Sequence, residues 1–218
     1  MTAMPPRDAL PDDSDELLDL LDETGEPLAR GKPRADVHRD GDWHRAFHLW
    51  VVRPDGRVLL QRRSKRKDLE PNKVDVSVAG HYRFGEALLD VVREAEEEIG
   101  LIVRPGDLAY LTTVRSERVY EGAIDREFQE VYACRDDRPL PEFPMDCAEV
   151  AVLYEVGVDR LIALVRGDAR SLPAEGYDCQ DRVNNALLVE DDLIAQAREQ
   201  TAQALELVQA WAAGEAEG

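Results

Sequence analysis

Basic residues are in short supply in this 218-residue chain: 27 Lys and Arg stand against 46 Asp and Glu, for a formal charge of −19. A phosphate backbone is repelled at long range by such a surface, which argues against sequence-independent nucleic-acid binding and leaves small molecules or proteins as partners. Long apolar runs are missing too. Nothing approaches the ~20 residues of a membrane helix, and the Pro- and Asp-rich start from Met1 to Asp15 lacks the apolar stretch of a signal peptide. Neither membrane insertion nor secretion is expected, and a cytoplasmic location is. Cysteine is sparse and odd in number: Cys134, Cys147 and Cys179 have no metal-ligand spacing and read as reduced thiols. Only four histidines occur, all before residue 82.

The length suits one domain with terminal extensions, large enough for a real core. Residues 1–15 read as a disordered acidic tail. Residues 16–30 suggest a short strand or helix and a turn. Phe47, Leu49 and Val51 alternate with His48, Trp50 and Val52; after the turn at Pro54-Asp55-Gly56, Val58 to Gln61 continues in the same style, which predicts a hairpin. Val74 to Val78 is a further strand leading into Gly80. Strands are expected near 107–115, 126–134 and 149–157, a helix at 158–166, a long connection over 168–187 and a helix from Asp191 to Ala213. Strands interleaved with helices predict an α/β or α+β sandwich.

The most informative stretch runs from Gly80 to Leu101. A glycine loop turns into a helix on which Glu94, Glu97 and Glu98 share one face within about a turn. Taken alone, such a charged run is a solvated helix face. Here Leu89, Val92, Ala95 and Ile99 recur at three- and four-residue spacing on the opposite side and Gly100 stops the helix, so it is amphipathic and clamped between turns. Three close carboxylates repel one another unless a cation sits among them. A hard divalent ion, Mg2+ or Mn2+, is the natural counter-charge and would in turn hold a diphosphate. The basic cluster Arg62, Arg63, Lys65, Arg66 and Lys67, shortly before the glycine loop, reads as a phosphate clamp.

From about Val37 to about Arg166 the chain resembles the Nudix family, and the stretch from Gly80 to Leu101 looks like its signature box. Residue by residue, Glu94, Glu97 and Glu98 match the family's metal-binding glutamates, Arg93 its helix-fixing arginine and Gly80 the loop glycine whose carbonyl joins the metal shell. The resemblance implies an α/β/α sandwich with a mixed central sheet, divalent-metal catalysis, and hydrolysis of a nucleoside diphosphate linked to another group by in-line attack of water. It divides the chain into the tail 1–15, a Nudix domain with its N-terminal extension over 16–175, and a C-terminal helical extension over 176–218. With the acidic amphipathic last helix, the family's habits point to a homodimer. Glu97 is the favoured general base by motif position, with Glu127 or Glu130 as alternatives on a neighbouring strand. One departure stands out: six residues separate Glu86 from Arg93, where the usual box has seven. A deletion inside the helix would rotate the rest by about 100° and break the carboxylate face, so the shortening is expected in the loop or first turn.

A narrower resemblance, carried by Trp43 to Trp50, Leu60-Gln61-Arg62-Arg63 with Lys67, and Ser77 to His81, is to the isopentenyl-diphosphate isomerase branch. That branch's metal-binding histidines would fall on His38, His44 and His81, its metal carboxylates on Asp125 and Glu127, and its diphosphate-binding residues on Arg63 and Lys67. Lone histidines are more often structural, and His48 is read so. Asp125 and Glu127, two apart on a strand, do face the same side. Allylic proton transfer needs an acid–base pair, and the isomerase's cysteine falls on Ala79, which has no proton to give or take. The leading expectation is therefore a metal-dependent hydrolase, with an isomerase-like enzyme or a non-catalytic nucleotide-binding module as alternatives. Among the aromatics, Tyr82, Phe84, Tyr110, Tyr120 and Phe128 are read as core or base-stacking residues alike.

Overall fold

Between Trp43 and Val52 the side chains alternate faces, and both faces are buried: Phe47, Leu49 and Val51 enter one apolar cluster, Trp50 and Val52 another. A strand covered on both sides must lie inside a three-layered molecule. The structure, a computed structural model, describes residues 16–67, 69–194 and 198–214. The tail expected at 1–15 lies outside the described residues.

The chain opens with β1 (Leu17–Leu21), β2 (Pro27–Pro33), α1 (Arg34–Asp40), β3 (Trp43–Val52) and β4 (Arg57–Arg63). Short strands β5 (Val74–Asp75) and β6 (Val78–His81) lead to the helices α2 (Leu88–Val91) and α3 (Arg93–Ile99). A long hairpin, β7 (Ala109–Tyr120) and β8 (Ala123–Arg135), precedes β9 (Val150–Gly157), α4 (Val158–Arg166), β10 (Leu172–Asp178), β11 (Ala186–Leu188) and α5 (Arg198–Ala212). The sheet is mixed. β3 runs parallel to β8, from Trp43 opposite Arg126 to Val52 opposite Arg135, while the other pairings are antiparallel. Val91, Ala95 and Ile99 of α2 and α3 cover one face; Leu161 and Leu164 of α4 with Leu205 and Val208 of α5 cover the other. The result is the expected α/β/α sandwich with an added C-terminal helix. No helix among the described residues is long and apolar enough to cross a membrane.

Several expectations need correction. The hairpin of β3 and β4 is joined at its turn, with Val52 opposite Val58, but the strands then part: β4 pairs with β9 and β5, and β3 with β6 and β8. Arg63, at the end of β4 away from the turn, and His48 of β3 line the cavities described below. The strand expected from Val74 to Val78 is two strands, because each half pairs with a different partner. The connection over 168–187 contains β10, whose Leu172, Ala174, Gly176 and Asp178 face inward at period two although Pro173 and Gly176 hide the pattern. The last helix begins at Arg198; residues 190–192 form a separate 3-10 turn.

The cysteines are also corrected. Cys147 and Cys179 form a disulfide and only Cys134 is a free thiol, buried in the core. The pairing joins the loop before β9 to the end of β10, a contact 32 residues apart that spacing cannot reveal.

Candidate active site

The shortened box leaves its mark at Val92. The Val92 N–H still bonds the Leu88 carbonyl at 3.2 Å, then the Ala95 N–H bonds the Val92 carbonyl at 3.1 Å, so the helix is interrupted one residue ahead of Arg93. The interruption turns Leu89 outward, 62% exposed, and puts Val91 in the core in its stead; the expected apolar stripe was misplaced there. Downstream the spacing is undisturbed. Gly100 ends α3 in the left-handed conformation, φ 63°, which its lack of a Cβ permits.

Glu94, Glu97 and Glu98 line one cavity of about 150 Å³, together with Gly80, Arg63 and Lys67. They are not equivalent. Glu98 is buried, its Oε2 accepting from Gln61 Nε2 at 3.0 Å and from the Ala79 N–H at 3.4 Å, whereas Glu97 is exposed at the mouth. Burial pushes Glu98 up to about 8 and Glu94 up to about 7, against an ordinary 4.5. Arg93 fixes the first turn, donating to Glu94 at 2.7 Å with Glu86 at 3.5 Å and Glu16 at 3.6 Å. Glu86 itself accepts from the Arg83 N–H at 2.8 Å, at the edge of the loop. Lys67 pairs with Glu149, and Arg63 Nη1 lies 3.5 Å from Asp75, so both expected phosphate ligands reach the cavity with carboxylate partners.

Gly80 packs directly against Glu94. A Cβ there would stand 2.4 Å from Glu94 Cγ and 2.6 Å from Cδ. Gly80→Ala is therefore expected to push Glu94 out of place and lower turnover about 10²-fold while circular dichroism stays unchanged, since ~1 Å errors in a catalytic arrangement cost that much.

The raised carboxyls set a pH dependence. In the metal-free protein a carboxyl with its folded value above its unfolded one stabilises fully below about 4.5 and loses that contribution as pH rises through about 8. A cation must displace these protons. Mg2+ affinity measured calorimetrically is expected to climb between pH 6 and 8, by up to about tenfold per unit for each proton displaced, and to level off above.

A second, smaller cavity of about 50 Å³ adjoins the first, and Arg34, Arg63, Ala79, Gly80 and His81 border both. His38, His81, Asp125 and Glu127 line it, and His44 clusters with them. Rings of His38, His44 and His81 lie 5.0 to 5.8 Å apart by centroid. His81 Nε2 is 3.2 Å from Glu127 Oε1, and Asp125 Oδ1 is 3.7 Å from His44 Nε2 and 3.8 Å from His38 Nε2. His44 Nδ1 lies 3.2 Å from the Asp42 carbonyl; with its N–H donated to that oxygen, Nε2 is the nitrogen whose lone pair faces the cluster. Burial lowers His81 to about 3, so it is neutral at ordinary pH. Burial would raise Glu127, but Arg118 and His81 hold it well below the usual carboxylate range, while burial and Glu127 push Asp125 up. His44 Nε2 and Asp125 Oδ1 are both buried with no hydrogen-bond partner. Unpaired buried atoms of this kind are costly, and a cation between them would satisfy both. The nitrogen and oxygen donors thus fit a divalent metal.

Some of the other candidates fall outside these cavities. Glu130, considered as a base, is spent on Arg45 at 2.7 Å, Tyr82 at 2.6 Å and Tyr132 at 3.1 Å. Tyr82 is core, Phe128 packs on Trp43, and Tyr110 packs on Tyr132; Tyr120 reaches the second cavity. His48, read as structural, also borders that cavity. Arg118, Gln61, Gln129, Asp146 and Glu149 were not anticipated. For Arg118 a signal existed: with Glu121-Gly122 as the turn, counting outward places it opposite Asp125.

The model of the NUDIX domain matches residues 42–172. An uncharacterised Nudix hydrolase of Clostridium acetobutylicum is 34% identical over 166 residues, 75% of this chain and 80% of the relative. The chain belongs to the Nudix hydrolase family. Another relative, an isopentenyl-diphosphate Delta-isomerase of Cutibacterium acnes, is 33% identical over 166 residues, 73% of this chain and 81% of the relative. Among solved structures, DR0079 from Deinococcus radiodurans superimposes with a TM-score of 0.52 at 25% identity, covering 70% of this chain and 90% of that one.

Proposed function

We infer that this Nudix hydrolase cleaves a small nucleoside diphosphate-type substrate with Mg2+ or Mn2+. The observation that carries the reading is the shared cavity: Glu94, Glu97 and Glu98 line the same space as Gly80, Arg63 and Lys67. Carboxylates alone would repel a diphosphate and cations alone would not need them, so together they suit a metal-held diphosphate. When bound, the metal supplies charge neutralisation of the phosphoryl oxygens and acidifies a water molecule. Glu94 and Glu98, with the Gly80 carbonyl, would hold it. Arg93 holds Glu94 in position, Arg63 and Lys67 bind the phosphates, and Glu97, open to solvent at the mouth, takes the proton of the attacking water. The substrate enters as a small molecule, and the chain acts as a homodimer in the reading the family suggests.

The test is product analysis on nucleoside di- and triphosphates, nucleotide sugars, dinucleotides and isopentenyl diphosphate, with Mg2+ or Mn2+ and then with chelator. Cleavage of a nucleotide compound that stops with chelator supports the reading; binding without turnover across the panel would overturn it.

An isomerase-like activity is the second reading, favoured by the convergence of His38, His44, His81, Asp125 and Glu127, which would hold a second divalent ion. Ala79 weighs against it. It borders both cavities and carries only a methyl group, while Cys134 is buried in the core and Cys147 is tied to Cys179, and none of the three lines either cavity. Isopentenyl diphosphate recovered unchanged from the panel is the expected result.

A further inference from the structure

Arg118 is a partly buried cation, its side chain 12% exposed, that neither reading above uses, and it touches both carboxylates of the histidine cluster. Its Nη2 donates to Asp125 Oδ2 and to Glu127 Oε2, each at 2.6 Å. Gln129 Nε2 donates to the same Glu127 oxygen at 2.7 Å. Each carboxylate thus has one oxygen engaged from behind and presents the other, Oδ1 or Oε1, to the imidazoles. The hairpin dictates the arrangement. Arg118 lies directly across from Asp125 and diagonally from Glu127, whose own partner is Ser116, so all three side chains share one face of the β7–β8 ladder.

Charge explains why a guanidinium stands there. Two carboxylates buried side by side without a counter-ion would repel and be strongly destabilising, and one of them would take up a proton. With Arg118 the two carboxylates and the guanidinium together carry one net negative charge rather than two.

The geometry points to Arg118 as a positioning residue that keeps the histidine–carboxylate cluster assembled and correctly turned without a cation, so that a divalent ion enters a ready-formed site. The inference rests on the reading of that cluster as a metal site. Arg118 would be a stand-in for the metal charge in the empty state and a clamp on its ligands in the loaded one. Removing it makes the fold depend on the ion.

Thermal unfolding of the full chain with and without Mn2+ tests this for wild type, Arg118→Met, Arg118→Lys and His44→Ala. Metal-free Arg118→Met is expected to melt about 10 °C below wild type, as a buried ion pair missing one partner does in a chain of this size. Saturating Mn2+ should close at least half of that gap, and Arg118→Lys, which keeps the charge, should fall between. A purely structural arginine would leave the same deficit with and without Mn2+, and that result overturns the inference. Should Arg118→Met fail to fold, Arg118→Lys decides: a Mn2+ shift larger than wild type supports the inference and an equal one refutes it. His44→Ala separates the two failures. If it leaves the wild-type Mn2+ shift intact, the cluster is no metal site and the inference falls with it; if it lowers the shift to the part the α3 glutamates supply while the Arg118 variants respond like wild type, the site stands and the role of Arg118 does not.

Discussion

Glu98→Gln loses Mg2+ affinity and turnover together, each by at least about 10²-fold. Changes one shell further out at metal sites already cost 10- to 100-fold, so loss of a ligand's charge should cost no less. Glutamine keeps the shape of the side chain and its hydrogen-bonding capacity toward Gln61 and the Ala79 N–H, which separates charge from packing. Because burial raises Glu98 to about 8 against an ordinary 4.5, the metal-free variant should match wild type below about pH 4.5 and become the more stable of the two as pH rises from there to about 8. Glu97→Gln is expected to differ, keeping the metal and losing mainly turnover, as befits a proton acceptor exposed at the mouth. Calorimetric Mg2+ titration beside steady-state product assays distinguishes the two. Wild-type turnover from Glu98→Gln would contradict the assignment.

His44→Ala removes a fully buried imidazole from the centre of the second cluster. Its Nε2 lies 3.7 Å from Asp125 Oδ1 and 4.0 Å from Glu127 Oε1. The variant is expected to lower Mn2+ affinity at that cluster by about 10²-fold or more and to leave the glutamate site of α3 unchanged. Paramagnetic resonance of free Mn2+ during titration counts the sites: two classes in wild type, one in His44→Ala. Equal stoichiometry in both proteins would mean that the cluster binds no metal.

Legibility from sequence follows how local each feature is. The carboxylate face of α3 could be read because three glutamates within five residues need only helical geometry to come together. The helix 158–166 and the strands of the sandwich were readable from apolar period. The stripe through Leu89 was not, because the interruption at Val92 changes the angular register of everything before it, and no apolar pattern marks such a break. β7 was cut short at 115 because only Ser116 among its residues is buried, so its outer half carries no apolar alternation. That loss concealed Arg118. The cysteine pair and the acidic residues Asp146 and Glu149 depend on the return of the chain through β9 and β10, contacts that exist only once the sheet order is known. The two cavities have the same origin. Their common wall at Ala79 to His81 exists because β3 and β4 part after a single residue pair, which their hairpin-like sequence does not announce.

The most direct test of the central claim, metal-dependent attack of water on a phosphoanhydride, is mass spectrometry of the products formed in H2(18)O from whichever nucleotide compound is cleaved. One atom of (18)O in a phosphate-bearing product, in the presence of Mg2+ and not of chelator, is the predicted result. Products free of label, or conversion that continues undiminished with chelator and in Glu98→Gln, would contradict it.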